Sequence, residues 1–528
     1  MDFQVLAHRG EGGYRQYRIP AMGVTPSGRI IAIYDGRPDL DDLPSPVDLL
    51  IRFSDDNGVT WSPQEVFAKS KGILGFGDAS IIIDPSFGKF GRVLVFAQET
   101  RLAGFFESGL GTNYDDPTVV QIALWISDDN GLTWIKKVIT EQLKDKKTEG
   151  IFATSGMGTR ITNGLYSGRL LNGFVLRRGA DIVGAIAYSD DHGENWKLGA
   201  IIPNGNETSL VCLKDGSLLI HSRSTPYRLS GYSHDGGETI TEFGPDLALP
   251  DPSDNGSLCS LSTGEIVCTH NHDKNLRRRT VAKISKDDGK NWQMAKILEC
   301  DSSAYSTSCE LSNGQIGILF ERNGYTEIVF CRVNTSEFRA IEDEIISESD
   351  ENGIEFTLAF RFVKPARLKS LDKNQSELHI MPKVDMSQWE LTSRKEIGAS
   401  AGLINGETIY TSEELETILG PISPGLHVGD EMRFSGRFRF NGNGYIQNLT
   451  IFFNKKVRIS QRELVKDGDE IIFLDVRHIV TREEVSSGMI VIEITWSGEL
   501  KEKENDYPEI IGSKIERIFS TSTGSQLS

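Results

Sequence analysis

Nowhere in its 528 residues does the chain hold the roughly 18 consecutive apolar residues that a membrane-crossing helix requires, so no helical span is expected. Positive charge is also in deficit. With 57 Lys and Arg against 75 Asp and Glu, the formal net charge is −18. A surface of that sign repels phosphate backbones, which removes nucleic acid from the expected partners. An anionic ligand would need a local cluster of arginines to draw it in. Cysteine is scarce: Cys212, Cys259, Cys268, Cys300, Cys309 and Cys331 show no Cys-x-x-Cys spacing. A zinc site or dense disulfide framework is therefore not expected, and the thiols read as buried and free. The opening "MDFQVLAHRGEGGYRQYRIP" lacks a basic segment followed by an apolar one. As read, it places the chain in the cytoplasm, or outside the cell if a leader was removed. No P-loop, GxGxxG fingerprint or GxSxG elbow occurs in a fitting context.

Short octamers, by contrast, are plentiful. "SDDNGVTW" (54–61), "SDDNGLTW" (127–134), "SDDHGENW" (189–196), "SKDDGKNW" (285–292) and the weaker "SHDGGETI" (233–240) share the frame Ser-x-Asp-x-Gly-x-Thr/Asn-Trp. Asp and Gly suit a tight turn, and the Trp suits a wedge packed beneath it. The alternating oxygens resemble a calcium loop, but the later Glu and flanking helices of an EF-hand are missing, so a structural turn is expected. Between the octamers lie strand-like runs such as "RIIAIYDG" (29–36), "GRVLVFAQE" (91–99) and "GQIGILFER" (314–322), bounded by turn residues. Repeats of that size predict four-stranded blades around a central channel, a β-propeller.

The repeats stop near residue 340. An acidic linker is expected over 341–353, then a β-rich, sandwich-like accessory domain over 354–515 and a polar tail over 516–528. One helix is expected within that domain at "TSEELETIL" (411–419), where Thr411 and Glu414 could form a capping box.

The motif "YRIP" (17–20) followed by five Ser-x-Asp-x-Gly boxes resembles the bacterial exo-α-sialidases, over about residues 5 to 335. The resemblance implies a six-bladed propeller and hydrolysis of terminal sialic acid from glycoproteins, glycolipids and oligosaccharides, with no cofactor and no metal. It also implies the site. A sialoside carries a carboxylate on its anomeric carbon, and arginines clamp such a group best. Arg18, Arg223 in "HSRS" and Arg277 in "NLRRRTV" fit the expected triad, with Arg278 and Arg279 standing beside the third. A carboxylate nucleophile would be repelled by the substrate, and sialidases use tyrosine instead. Tyr305 in "SSAYSTSCEL" fits that role. A phenol with an ordinary pKa near 10 needs a base, and Glu207 in "NGNETSLV" fits it. In "YDGRPDLDDLPSP" (34–46), Arg37 fits a substrate contact and Asp42 the acid/base, with Asp39 and Asp41 nearby. Asp78 in "GFGDAS" resembles a pocket aspartate, and Glu321 in "ILFER" the carboxylate that orients Arg18.

Two rival readings use the same arginines. A silent sialic-acid-binding propeller would have no use for a Tyr–Glu pair or for Asp42. A trans-sialidase would need an aromatic acceptor platform, for which "AGFFESG" (103–109) is a candidate. The pair His270 and His272 in "HNHD" offers a weaker metal reading with no evident third ligand.

Overall fold

The computed structural model describes residues 3–340, apart from 15, 39–41, 275–276, 323–324, 326 and the side chains of 278 and 300–302, and beyond them the backbone of strands within 354–518. The chain divides into two compact units, Met1–Ser349 and Asp350–Ser528.

The first unit is a six-bladed β-propeller. Its first blade comprises Gln16–Val24, Ile30–Arg37, Asp48–Ser54 and Glu65–Ala68, in that spatial order. The second is built on Gly75–Asp84, Arg92–Thr100, Gln121–Ser127 and Ile135–Val138. Gly150–Ala153, Leu170–Arg178, Asp181–Ser189 and Lys197–Ile202 form the third, and Thr208–Cys212, Leu218–Ser222, Tyr227–Ser233 and Thr241–Pro250 the fourth. The fifth and sixth share one 17-residue strand, Met294–Glu310, which leaves the outer edge of one blade and becomes the innermost strand of the next. Gln4–His8 then closes the ring by pairing antiparallel with Glu327–Val333.

Second strands such as Arg92–Thr100 are buried along their whole length, because both faces are covered by neighbouring blades. Their near-continuous apolar runs have this cause. Between each pair of adjacent blades lies one apolar layer; Ile31, Ile33, Ile81, Val93 and Val95 build the layer between the first two.

Every octamer links the third strand of a blade to its fourth. In the first, Ser54 Oγ accepts from Gly58 N at 2.8 Å. The Asp56 carboxylate accepts from Val59 N, Thr60 N and Thr60 Oγ1 at 3.0, 2.9 and 2.6 Å. The other four repeat this scheme through Asp129, Asp191, Asp235 and Asp287. These oxygens are committed to the turn, as the turn reading expects. Among the described residues no cluster of three or more His, Cys, Asp or Glu could hold a metal.

The wedge reaches further than expected. Trp61 packs on Phe330 of the sixth blade, Trp134 on Phe67 of the first, Trp196 on Phe96 of the second and Trp292 on His221 of the fourth. Each ring thus pins its blade to the preceding one, not merely to a strand beside it. Five of the cysteines, Cys212, Cys259, Cys268, Cys309 and Cys331, are free and buried.

The second unit forms two sheets. One contains Ser400–Asn405, Glu413–Leu426, Ile354–Lys364, Met489–Leu500, Gly444–Phe453 and Lys456–Gln461; the other contains Trp389–Leu391, Tyr507–Ile518, Glu431–Asn441 and Glu470–Ile479. The helix expected at 411–419 does not form over its described residues: Glu413–Leu426 is a strand paired on both sides, with Ile354–Lys364 and Ser400–Asn405. A capping box is a local signal, and Gly420, Pro421 and Pro424 leave it too few residues to propagate, so two-sided strand pairing prevails. The expected tail contributes residues 516–518 to Tyr507–Ile518; its remainder and the expected linker lie outside the described residues. Among the described residues no helix is long and apolar enough to cross a membrane.

Candidate functional site

The blades present their chemistry at one end, where innermost strands begin. Three of the expected residues sit at breaks in strand register. The pairing of Gln16–Val24 slips between Arg18 and Ala21, with Ile19 at φ 59°. That of Gly75–Asp84 slips between Gly77 and Ser80, with Asp78 at φ 57°. That of Met294–Glu310 slips between Ser303 and Ser306, around Tyr305. A bulge re-aims a side chain out of the sheet, and a β-branched residue at positive φ persists only where its surroundings hold it. At Ile19 the holder is Glu321, whose Oε1 accepts the Ile19 amide at 2.7 Å.

Glu321 also faces Arg18, with Oε1 3.3 Å from Nε. The Arg18 guanidinium lies over the Tyr325 ring at 4.2 Å and near that of Tyr305 at 5.2 Å. Arg223 and Arg277 approach the Tyr305 ring at 5.9 and 5.5 Å. The three expected arginines therefore converge on one phenol. Arg223 Nη1 donates to Glu207 Oε2 and to Tyr305 Oη, each at 2.6 Å. Tyr305 Oη donates to the same Glu207 oxygen at 2.6 Å. Burial pushes the Tyr305 phenol well above its ordinary range, against the pull of Arg223, Arg277 and Arg18. A neutral phenol touching a buried carboxylate has a proton acceptor in place.

At the rim, Arg37 Nη1 donates to Asp42 Oδ1 at 2.5 Å, and Arg18 Nη1 lies 3.6 Å from the same oxygen. The Asp42 side chain is 77% exposed. Desolvation raises its carboxyl, but Arg37, Arg18 and Arg277 outweigh it and hold the group below the usual carboxylate range. Half-buried Asp78 is pushed the other way, by desolvation and by Asp35 and Glu207. All nine expected residues thus lie in one connected cluster of contacts and charge interactions. Asp39 and Asp41 lie outside the described residues, as does the Arg278 side chain. Phe105 is buried against Phe152, while Phe106 is exposed on the loop that follows Arg92–Thr100.

Four further residues complete the pocket. Asp35 accepts from Arg37 Nη2 at 3.0 Å, and Tyr325 Oη accepts from Arg277 Nη1 at 3.1 Å. Ser253 and Asp254 contact Arg223 and Arg277. A signal existed for Asp35, which stands two residues before Arg37 on a strand and so shares its face. The segment "DPSDN" (251–255) reads only as a turn.

Residues 48–318 match the BNR repeat-like domain family. A sialidase of Micromonospora viridifaciens is 34% identical over 336 residues, covering 60% of this chain and 52% of that protein, so the chain spans about half the length of this relative. Among solved structures, the Hadza microbial sialidase Hz136 superposes with a TM-score of 0.56 at 23% identity, over 63% of this chain and 68% of that one. An intramolecular trans-sialidase from Ruminococcus gnavus, solved with oseltamivir carboxylate, gives 0.55 at 19% over 63% of this chain and 97% of that one. At these identities the two structures speak to the fold. Together with the five repeated turns, the match over residues 48–318 shows that the chain belongs to the BNR repeat-like domain family and carries a propeller of the sialidase type.

Proposed function

We propose that the protein is a retaining exo-α-sialidase that releases terminal sialic acid from glycoconjugates. The observation that carries this reading is the Tyr305–Glu207 contact of 2.6 Å beneath three converging arginines. Arg18, Arg223 and Arg277 hold the substrate carboxylate, and Arg37 and Asp78 contact the sugar. Tyr305 attacks the anomeric carbon as its proton passes to Glu207, while Asp42 protonates the departing glycosidic oxygen. Asp42, now a carboxylate, takes a proton from water as that water attacks the same carbon. The Tyr305 oxygen leaves and recovers its proton from Glu207. Asp42 must be protonated for the first step, and its arginine neighbours oppose that state, so activity is expected to fall as pH rises above the acidic range.

Sialyl-lactose tests the reading, with products identified for the wild type and Tyr305→Phe. Free sialic acid from the wild type, lost in the variant, supports it. An anhydro-sugar or a new sialoside as product would move the protein to the transferases. Binding without turnover would make it a lectin.

A further inference from the structure

Each arginine expected to meet the ligand carboxylate has its own buried acid. Arg18 has Glu321, as expected, and Arg223 has Glu207, expected only as the base for Tyr305. Arg277 has Asp254, whose Oδ1 lies 3.6 Å from its Nε. Asp254 is buried, and Asn271 Nδ2 donates to its Oδ2 at 2.5 Å. Its backbone is pinned as well. Asp254 N donates to Asp251 Oδ1 at 2.8 Å, and Arg228 Nη1 donates both to Asp251 Oδ2 at 2.7 Å and to the Asp254 carbonyl at 3.1 Å. Ser253 faces the pocket from this base at φ 67°. Its Oγ accepts from Arg223 Nε, and its carbonyl accepts from Arg277 Nη2, each at 3.1 Å. One serine therefore spans two of the three arginines.

Resting on the sialidase reading, we propose that Ser253 and Asp254 are positioning residues of the carboxylate clamp: Ser253 sets the spacing of Arg223 and Arg277, and Asp254 is a counter-ion that shares Arg277 with the ligand carboxylate and so tunes its affinity. Arg277 spends one N–H on Tyr325 and one on Ser253, and turns its Nε edge toward Asp254. Its remaining donors serve the ligand. An ionised Asp254 cancels part of the guanidinium field there, and a neutral one leaves that field to the ligand. The groups around Asp254 oppose one another. Desolvation, Glu321 and Asp251 push its carboxyl up, Arg277 and Arg223 pull it down, and the outcome is about 7. Arg228 bears on its carbonyl. Ligand binding then favours the protonated form, and affinity for a carboxylate weakens as pH rises through that range.

The test is calorimetric titration with 2,3-didehydro-2-deoxy-N-acetylneuraminic acid, and with its analogue reduced to the alcohol at C1, at pH 6 and pH 8. For the wild type, Kd of the acid is expected to rise about fivefold between the two, within the tenfold per unit that one linked proton allows. The alcohol should show no such rise. In Asp254→Asn, which keeps the acceptor for Asn271, the rise should shrink below about twofold. Ser253→Gly, which keeps the carbonyl but not Oγ, should weaken binding of the acid at both pH values. A wild-type Kd that stays constant, or a rise that survives in Asp254→Asn, overturns the inference and leaves the sialidase reading intact. A wild type that neither binds the acid nor releases sialic acid overturns both. The wild-type comparison of acid with alcohol holds even where a variant fails to fold.

Discussion

Two sets of aspartates in this propeller share a side chain and little else. Those of the repeated octamers lie at the exposed end of the blades, where backbone amides and neighbouring Thr or Asn side chains saturate their oxygens. Asp56 is drawn down to about 2 by its bonds from Thr60. Three of those in the pocket, Asp35, Asp78 and Asp254, face arginines or each other, and burial pushes them up, while Asp42 at the rim is held down by Arg37 and Arg18. The octamer carboxylate completes a turn and would be wasted on a ligand. The pocket carboxylates are costly to bury and are retained where they orient or temper a guanidinium. Repetition therefore marks the architecture, and residues that occur once, three of them at breaks in strand register, mark the candidate chemistry.

The sharpest way to break that contrast is to mutate one residue in each region. Tyr305→Phe or Glu207→Gln should lower kcat/KM for a sialoside by about 10²–10⁴-fold, the range for losing a positioned proton-transfer group. Thermal unfolding should barely move for Tyr305→Phe, which leaves the buried Arg223–Glu207 pair intact. Asp287→Ala should do the opposite. It removes the acceptor for Asn291 N, Asn291 Nδ2 and Ser285 Oγ, and should cost about 1–2 kcal/mol in denaturant unfolding while kcat/KM per folded molecule stays within about twofold. Gly58→Ala belongs with it. At φ 76° a Cβ would overlap the Phe330 ring of the neighbouring blade, and overpacking of this kind costs about 1–3 kcal/mol. An octamer variant that abolished turnover without unfolding would refute the division of labour.

The same contrast explains what could be read in advance. The octamers repeat because five of the six blades make the same turn between their third and fourth strands, so those blades were legible. The nine expected residues could be picked out because they stand in short motifs, with Arg37 and Asp42 sharing one. Ring closure was not: Gln4–His8 pairs with Glu327–Val333 across more than 300 residues, and neither segment carries a mark of its partner. Ser253 and Asp254 escaped for a related reason. Their importance arises from what lies across the pocket, and "DPSDN" shows only a turn. At 411–419 the local capping signal pointed to a helix, and pairing with two distant strands overrode it.

Proton linkage sharpens the comparison next, because Asp287 of a turn and Asp254 of the pocket should give stability slopes of opposite sign. Unfolded aspartate titrates near 3.9. Asp287 is held below its ordinary value by bonds from Asn291 and Ser285. The unfolded chain therefore binds that proton more readily, and the stability Asp287 contributes is present above about pH 4 and lost as pH falls. Asp254 stands at about 7, so the folded protein holds the proton more tightly. Its contribution is present below about pH 4 and is lost as pH rises from there toward 7. Denaturation midpoints of the unliganded protein, taken across both windows, check this. Asp254→Asn should flatten the slope between about pH 4 and 7, and Asp287→Asn the slope below about pH 4.

The smallest effect is expected one residue before Gly58. Asn57 also has positive φ, 57°, yet it is not glycine, and the position directly before the octamer glycine is Asn130, His192 and Asp288 in three other boxes. Asparagine tolerates the left-handed region because its short amide bonds locally. Here its Oδ1 also accepts from Ser312 Oγ at 2.7 Å, on the neighbouring blade. Replacing Asn57 by glycine relieves the backbone but loosens the unfolded chain and gives up that exposed bond. These terms are each small and oppose one another, so Asn57→Gly should shift stability by less than about 0.5 kcal/mol. A loss as large as that of Gly58→Ala would mean that the Ser312 bond, and not the packing of the glycine on Phe330, joins the first blade to the sixth at this turn.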